Sequence, residues 1–442
     1  MAELNSVLAD ATVTRSVGGV PVAIKNRFYR WSPAEFHANA IARGSAPSGA
    51  IITQTRNAIL DMFDSGELCT FDAGTYYIDG TINPVNFNVT ATRQNSIEFN
   101  DTTIRAAGNL ADYYKATDSG SGAIIDSSTM NEAARDSILP ASEEVPVMFD
   151  VTNCEYFEYR GKVTLHGGSK NLAILACANA GVQAGTARIN AAGGTGSTWG
   201  TLILTNGRWG IFGTPRYGQA RNYYNGVFVG NILNRLRIYD CTFPILAGGN
   251  TIDDCFIGEY NQIGKTTAGI GSRILTCAFT MGTGYMNGAT TSDYGVYLEN
   301  SHMIFKTMYA EENFAAPIRL GPASWVEGTC KYGAGANTVF GKKAFIYSDA
   351  VSSGGIITAH ERSASAESGA SMVKLKAVAS SKRNFMVYSP HTDAACTPFT
   401  VESGSGFANT DKLVAFTRDG MKKWTMAGTA GAPTISATST IV

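Results

Sequence analysis

Charge is scarce in this 442-residue chain: Asp, Glu, Lys and Arg together make up 16%, against roughly 25% in ordinary soluble domains. The balance is even, with a formal net charge of -1. That excludes the basic footprint on which nucleic-acid binding rests, and equally a polybasic membrane-surface patch. No apolar stretch approaches the ~20 residues of a spanning helix. The opening MAELNSVLAD has neither a basic n-region nor an apolar core, so no signal peptide is read there. Synthesis and folding in a cytoplasm are expected, with no nucleic-acid partner and no membrane insertion. Metal ligands are sparse too. Eight cysteines (69, 154, 177, 241, 255, 277, 330 and 396) and five histidines are scattered, with no CxxC pair and no zinc spacing. Reduced, buried thiols acting as small hydrophobes are expected, and no cofactor.

Glycine and apolar residues, by contrast, are plentiful. Hydrophobic residues are 44%, enough for a large core, and Gly is 48 of 442, above the usual share of about 7%. Low charge with high Gly, Asn, Ser and Thr suits a β-rich protein with many tight turns. Two helices are predicted near the start. Ser32-Pro33-Ala34-Glu35 is a capping box with Pro in the first helical position, opening a helix over 33–43. Ile51, Thr55, Ala58, Ile59, Met62 and Phe63 recur at helical spacing over 50–64. Directly behind comes TFDAGTYYIDGTI (70–82), in which strand-formers are separated by the turn chemistry of Asp72-Ala73-Gly74 and Asp79-Gly80.

From there to about residue 345, short strands alternate with Asn, Gly, Asp or Ser turns, as in NTIDDCFIG, SRILTCAFTMG and YGVYLENSHMIFKTMYAEEN. Setting Cys255, Cys277 and Leu298 level gives steps of 22 and 21 residues. Ile257 then matches Phe279, Leu275 matches Val296, and Asp254 and Glu299 fall on the outward set. A repeat of this length with one matched strand per repeat predicts a solenoid, whereas a β-meander has spacings of about 8–12 residues.

A helix, then Phe71-x-x-Gly74-Thr75-Tyr76-x-Ile78, then coils rich in Asn and Gly resembles phage tailspikes and tail fibres of the pectate-lyase-like type. Asp72 stands where that motif usually has Pro. The resemblance covers about residues 50–345 and implies an all-β fold. That fold is a right-handed parallel β-helix capped by N-terminal helices, with a β-rich C-terminal trimerisation module. The domains implied are an N-terminal segment over 1–48, a β-helix over 49–345 and a C-terminal module over 346–442, the last beginning where small-residue linkers appear and containing the hairpin turn Asp419-Gly420. At about 4.8 Å per coil, roughly 9 or 10 coils make a shaft of about 45–55 Å. Insertions are expected over 112–146, with a helical stretch at 131–139, and over 177–200. The resemblance further implies a homotrimer in the virion, made in the host cytoplasm. It would be attached through other phage tail or baseplate proteins and would bind a bacterial surface polysaccharide, capsule or O-antigen.

Long sheet faces suit a polymer better than a small buried ligand. The segment 199–226 concentrates Trp199, Trp209, Tyr217, Tyr223 and Tyr224 with Arg208, Arg216 and Arg221, a candidate carbohydrate face in which Arg meets acidic sugars, or else sheet packing and a subunit interface. Glycan hydrolysis needs two carboxylates at defined separation. The candidates are Asp254 with Glu299 or Glu311, then Glu312, with Glu259 and Asp293 in reserve; each is also readable as a solvated turn carboxylate. A lyase would use a base instead, for which His302 and Lys306 stand close to Glu299. Depolymerisation by hydrolysis ranks ahead of elimination, and a non-catalytic adhesin or structural virion protein is the alternative.

Overall fold

The computed structural model describes residues 13–17, 20–24, 47–64, 69–82, 96–109, 112–113, 115–118, 123–124, 145–150, 158–168, 172–176, 198–207, 209–212, 232–239, 241, 243–248, 255–263, 270–275, 278–289, 294–332, 340–360, 370–389, 396–406, 410–417 and 420–440. Among them the fold is all-β with one helix. Successive strands alternate between a 12-stranded and a 15-stranded sheet, so neighbours in a sheet are one circuit of the chain apart, and most pair in parallel. Arg235, Glu259, Thr283 and Thr307 lie level in the larger sheet, a circuit of 24 residues. Tyr297, Arg319, Tyr347 and Lys374 lie level in the smaller one. These stacked parallel strands are compatible with a β-helix-like solenoid.

The row expected from the sequence needs correcting. Cys255 pairs with Phe279 in the larger sheet, while Leu298 lies between Ile274 and Leu320 in the smaller; Cys277 is outside the described residues. Each circuit contributes an alternating strand to both sheets, so matching on alternation brought strands of different sheets onto one row.

Inward positions of both sheets form a continuous apolar core. Phe99 stacks on Phe71 with ring centroids 4.8 Å apart and meets Tyr159 edge-on at 5.4 Å. Tyr76, Ile104, Leu165, Leu204 and Ile238 make a second buried row. Each such side chain contributes about 1.5–3 kcal/mol of burial. The larger sheet also turns a corner. Phe99 and Thr102 are buried while Asn100 and Asp101 between them are exposed, and the pattern returns as Phe305, Lys306, Thr307 and Met308. Two successive outward residues reset the phase of alternation. At the corner Asp101 and Gly161 have φ of 53° and 81°, and Lys162 reaches Asp101 at 2.7 Å. From Ser324–Tyr332 onward Val326 and Cys330 are buried without a reset, so the corner ends there.

Both ends of the core are covered. The helix Gly49–Asp64 buries Ala58, Ile59, Met62 and Phe63. Phe63 meets Phe71 of one sheet at 6.0 Å and Phe149 of the other at 6.3 Å. At the far end Lys412–Thr417, Gly420–Gly428 and Pro433–Thr440 pair antiparallel, with Trp424 against Phe399 at 5.9 Å. The expected boundary at 345/346 falls inside the strand Ala344–Ser348. Parallel pairing continues across it to Lys412–Thr417. Near the N-terminus Val13–Val17 and Val20–Ile24 form a hairpin. The helices expected over 33–43 and 131–139 lie outside the described residues.

Candidate functional site

On the smaller sheet the level residues Tyr297, Arg319, Tyr347 and Lys374 alternate aromatic and cationic side chains at strand spacing, about 4.8 Å per step. The Arg319 guanidinium lies over Tyr297 at 4.8 Å and Tyr294 at 5.1 Å, and binds Asp349 through Nε (3.4 Å) and Nη2 (2.7 Å). Tyr294 stacks on Tyr347 at 5.9 Å. The Tyr347 hydroxyl donates to Glu402 Oε1 at 2.6 Å, where Lys342 (3.1 Å) and Lys374 (3.5 Å) also converge. Tyr297 donates to Glu299 Oε2 at 3.2 Å. Gly321 makes room for that hydroxyl, since a Cβ there would lie 2.4 Å from it. The result is a ribbon: a tyrosine floor, with Tyr347 3% and Tyr297 7% exposed, under a half-buried edge of guanidinium, ammonium and carboxylate groups.

Electrostatics fix the protonation of this ribbon. Burial, then the hydrogen bond to Glu402, push the Tyr347 phenol well up, so it stays a donor. Burial alone would raise Glu402, but the Tyr347 hydroxyl and the Lys342 and Lys374 ammonium groups outweigh it and hold the carboxyl below its usual value. A carboxylate held ionised is suited to accepting hydrogen bonds and poorly suited to donating a proton.

The ribbon ends at an edge between the two sheets. The strand Tyr294–Glu299 passes through Asn300 and Ser301 into His302–Asn313 of the larger sheet. Asn300 has φ of 47°, and Ser301 Oγ closes the turn on the Glu299 carbonyl at 2.8 Å. Just past the turn, His302 lies level with Trp325. The Trp325 indole donates to Glu327 Oε1 at 2.5 Å, and His302 Nε2 is 3.8 Å from the same oxygen. Further along, Tyr285 stacks on Tyr309 at 5.7 Å, with Lys331 Nζ 5.3 Å from the Tyr309 ring.

Comparison with known families, curated proteins and solved structures finds no match for this chain. The site therefore rests on its own geometry. Glu299 joins the ribbon. His302 and the exposed Lys306 share one strand of the larger sheet with Glu311 and Glu312, whose side chains are outside the described residues. Trp199 lies in Thr198–Thr205 of the larger sheet and Trp209 in Trp209–Phe212 of the smaller, so the two are not on one sheet. Glu259 is level with Arg235 and Thr283. Asp254, Asp293, Arg208, Arg216, Tyr217, Arg221, Tyr223 and Tyr224 lie outside the described residues. Among those described, no three His, Cys, Asp or Glu side chains converge as a metal site, and Cys69, Cys241 and Cys330 are buried. The ribbon's Tyr294, Tyr297, Arg319, Lys342, Tyr347, Asp349, Lys374 and Glu402 escaped the sequence reading. Their one signal is an aromatic or cation recurring every 22–28 residues at an outward strand position, which is visible only once strands are assigned to the right sheet.

Proposed function

We propose that this chain is a receptor-binding protein of the phage tailspike type, a right-handed parallel β-helix that recognises a bacterial surface polysaccharide along the outside of its sheets. The ribbon carries this reading. Sugar hydroxyls offer paired donors and acceptors, and a row of alternating guanidinium, ammonium and carboxylate groups matches them over several strand levels. The resemblance adds three chains per virion spike, attached through other tail or baseplate proteins. Three copies of a 46.8 kDa chain in sedimentation equilibrium would support that; a monomer would count against it. The ionised, fully engaged Glu402 favours a second reading, a non-catalytic adhesin on the same fold.

The test is binding of the purified protein to capsule and O-antigen preparations from a panel of bacterial strains, with reducing ends and absorbance near 235 nm followed in parallel. Arg319→Gln removes charge-assisted bonds of about 1.5–3 kcal/mol and is expected to weaken binding roughly 10–100-fold. Binding to no preparation, or unchanged binding by a folded Arg319→Gln protein, sinks the reading. Binding with neither signal makes it an adhesin.

A further inference from the structure

We propose that the ribbon on the smaller sheet selects a neutral, hydroxyl-rich polysaccharide and rejects acidic ones, an inference that rests on the receptor reading above and names its ligand class. The ribbon balances its own charge. Arg319 is held by Asp349 at 2.7 Å, and Lys342 and Lys374 by Glu402 at 3.1 and 3.5 Å. Lys376 lies level with Glu402 on the neighbouring strand, and Glu299, which accepts from the Tyr297 hydroxyl, adds a third carboxylate. The pairs are not in open solvent: the Arg319 and Asp349 side chains are 27% and 21% exposed, and those of Lys374 and Glu402 20% and 23%. Partly buried pairs are weakly screened, so they stay formed while a ligand lands on them.

A ligand therefore meets donors and acceptors side by side. A guanidinium carries about five N–H donors and a carboxylate about four acceptor sites; the Arg319–Asp349 pair uses two of each. A sugar hydroxyl donates and accepts at once, so it can satisfy both partners. A uronate carboxylate or a phosphate group only accepts. At Arg319 it would face the carboxylate of Asp349, and at the lysines that of Glu402. Like charges brought together across an interface are what turns a wrong partner away. Ring stacking is pre-empted as well. Arg319 covers a face of Tyr294 and of Tyr297, and Lys342 Nζ lies 4.7 Å from the Tyr347 ring centre. With Tyr297 and Tyr347 almost fully buried, recognition falls to hydrogen bonds from the charged edge. Level groups repeat at about 4.8 Å per strand, comparable to the length of one pyranose unit, so an extended glycan meets several pairs in turn.

The experiment uses the full chain and polymers of known charge: dextran, mannan and neutral O-antigen preparations against polygalacturonate, hyaluronan and acidic capsule preparations. Kd is measured at about 0.1 and about 1 M NaCl, between which the screening length falls from about 10 to about 3 Å. The expected result is binding to a neutral polymer whose Kd changes less than about threefold over that range, because no new ion pair forms. Every acidic polymer should bind at least about tenfold more weakly. Asp349→Asn keeps an acceptor beside Arg319 but removes the opposing charge. It should therefore gain at least about tenfold in affinity for polygalacturonate or hyaluronan, a gain that high salt abolishes. Tightest binding to an acidic polymer, with Kd rising steeply in salt, overturns the inference and leaves the receptor reading intact. So does a folded Asp349→Asn protein that gains nothing for acidic polymers. If that variant does not fold, the ranking of polymers and the salt series on the parent chain decide alone. Binding to no polysaccharide, neutral or acidic, overturns the receptor reading as well.

Discussion

Arg383 is the largest fully buried side chain among the described residues, and its surroundings explain how a charge survives there. Its guanidinium donates to Asp411 from Nε (3.0 Å) and Nη2 (2.7 Å), and to the Ser348 and Lys376 carbonyls from Nη1 at 3.3 and 2.8 Å. The pair ties three successive circuits together. Removing one partner strands the other, so Asp411→Ala is expected to cost about 3–5 kcal/mol, whereas the double change Arg383→Met with Asp411→Leu should lie much closer to the parent. Guanidinium unfolding midpoints decide it; equal losses in the single and double variants refute the argument. Glu402 makes a second prediction. Its carboxyl is lowered in the fold, so its stabilisation is fully present above the ordinary carboxylate value and is lost as pH falls through the folded one. The difference in Tm between the parent and Glu402→Gln should be flat near neutrality and shrink in acid. A difference that persists unchanged into acid would show that the lysine and tyrosine contacts are not charge-dependent.

At the scale of elements, one substitution has opposite signs at two glycines. Gly49 opens the helix with no atom within 4 Å of a Cβ, so Gly49→Ala should stabilise by about 0.4–1 kcal/mol. Gly328 sits where the cornered strand His302–Asn313 meets its flat neighbour, with φ of 152° and a Cβ position 2.1 Å from the Phe305 carbonyl oxygen. Gly328→Ala should destabilise by roughly 1–3 kcal/mol, and thermal melts of both variants check the contrast. The two cases also mark what the sequence made legible. Helix Gly49–Asp64 announces itself through apolar spacing, and strands such as Gly74–Ile78 through alternation, because both signals are local. The corner at Lys306 is a phase reset of one residue, invisible unless the partner strand 22 or 24 residues away is known. The same holds for the ribbon: Arg319 and Tyr347 are unremarkable singly, and only their level pairing makes a site. Glu299, His302 and Lys306 stand out together as candidates because they crowd into eight residues of sequence. Trp199 and Trp209 lie within eleven residues, yet a turn puts them on separate sheets.

At the scale of the whole molecule, a stack of parallel strands has two open ends and no side-to-side closure, so its ends decide whether it stays discrete. The helix Gly49–Asp64 covers one end through Phe63. The other is closed differently, by reversing strand direction after Thr417 and folding Gly420–Gly428 and Pro433–Thr440 antiparallel onto the larger sheet. Met426, 1% exposed, lies over Arg383, its sulfur 3.9 Å from Nη2, and Ile435 packs against the core. Deleting 418–442 would strip that cover and leave Lys412–Thr417 as a bare edge, with Leu413 and Ala415 behind it. The shortened chain is therefore expected to associate end to end with rising concentration, forming species larger than those of the full chain. Light scattering across a concentration series checks this. A truncated protein that keeps the size and melting behaviour of the full chain would show that the parallel stack ends without needing its antiparallel cover.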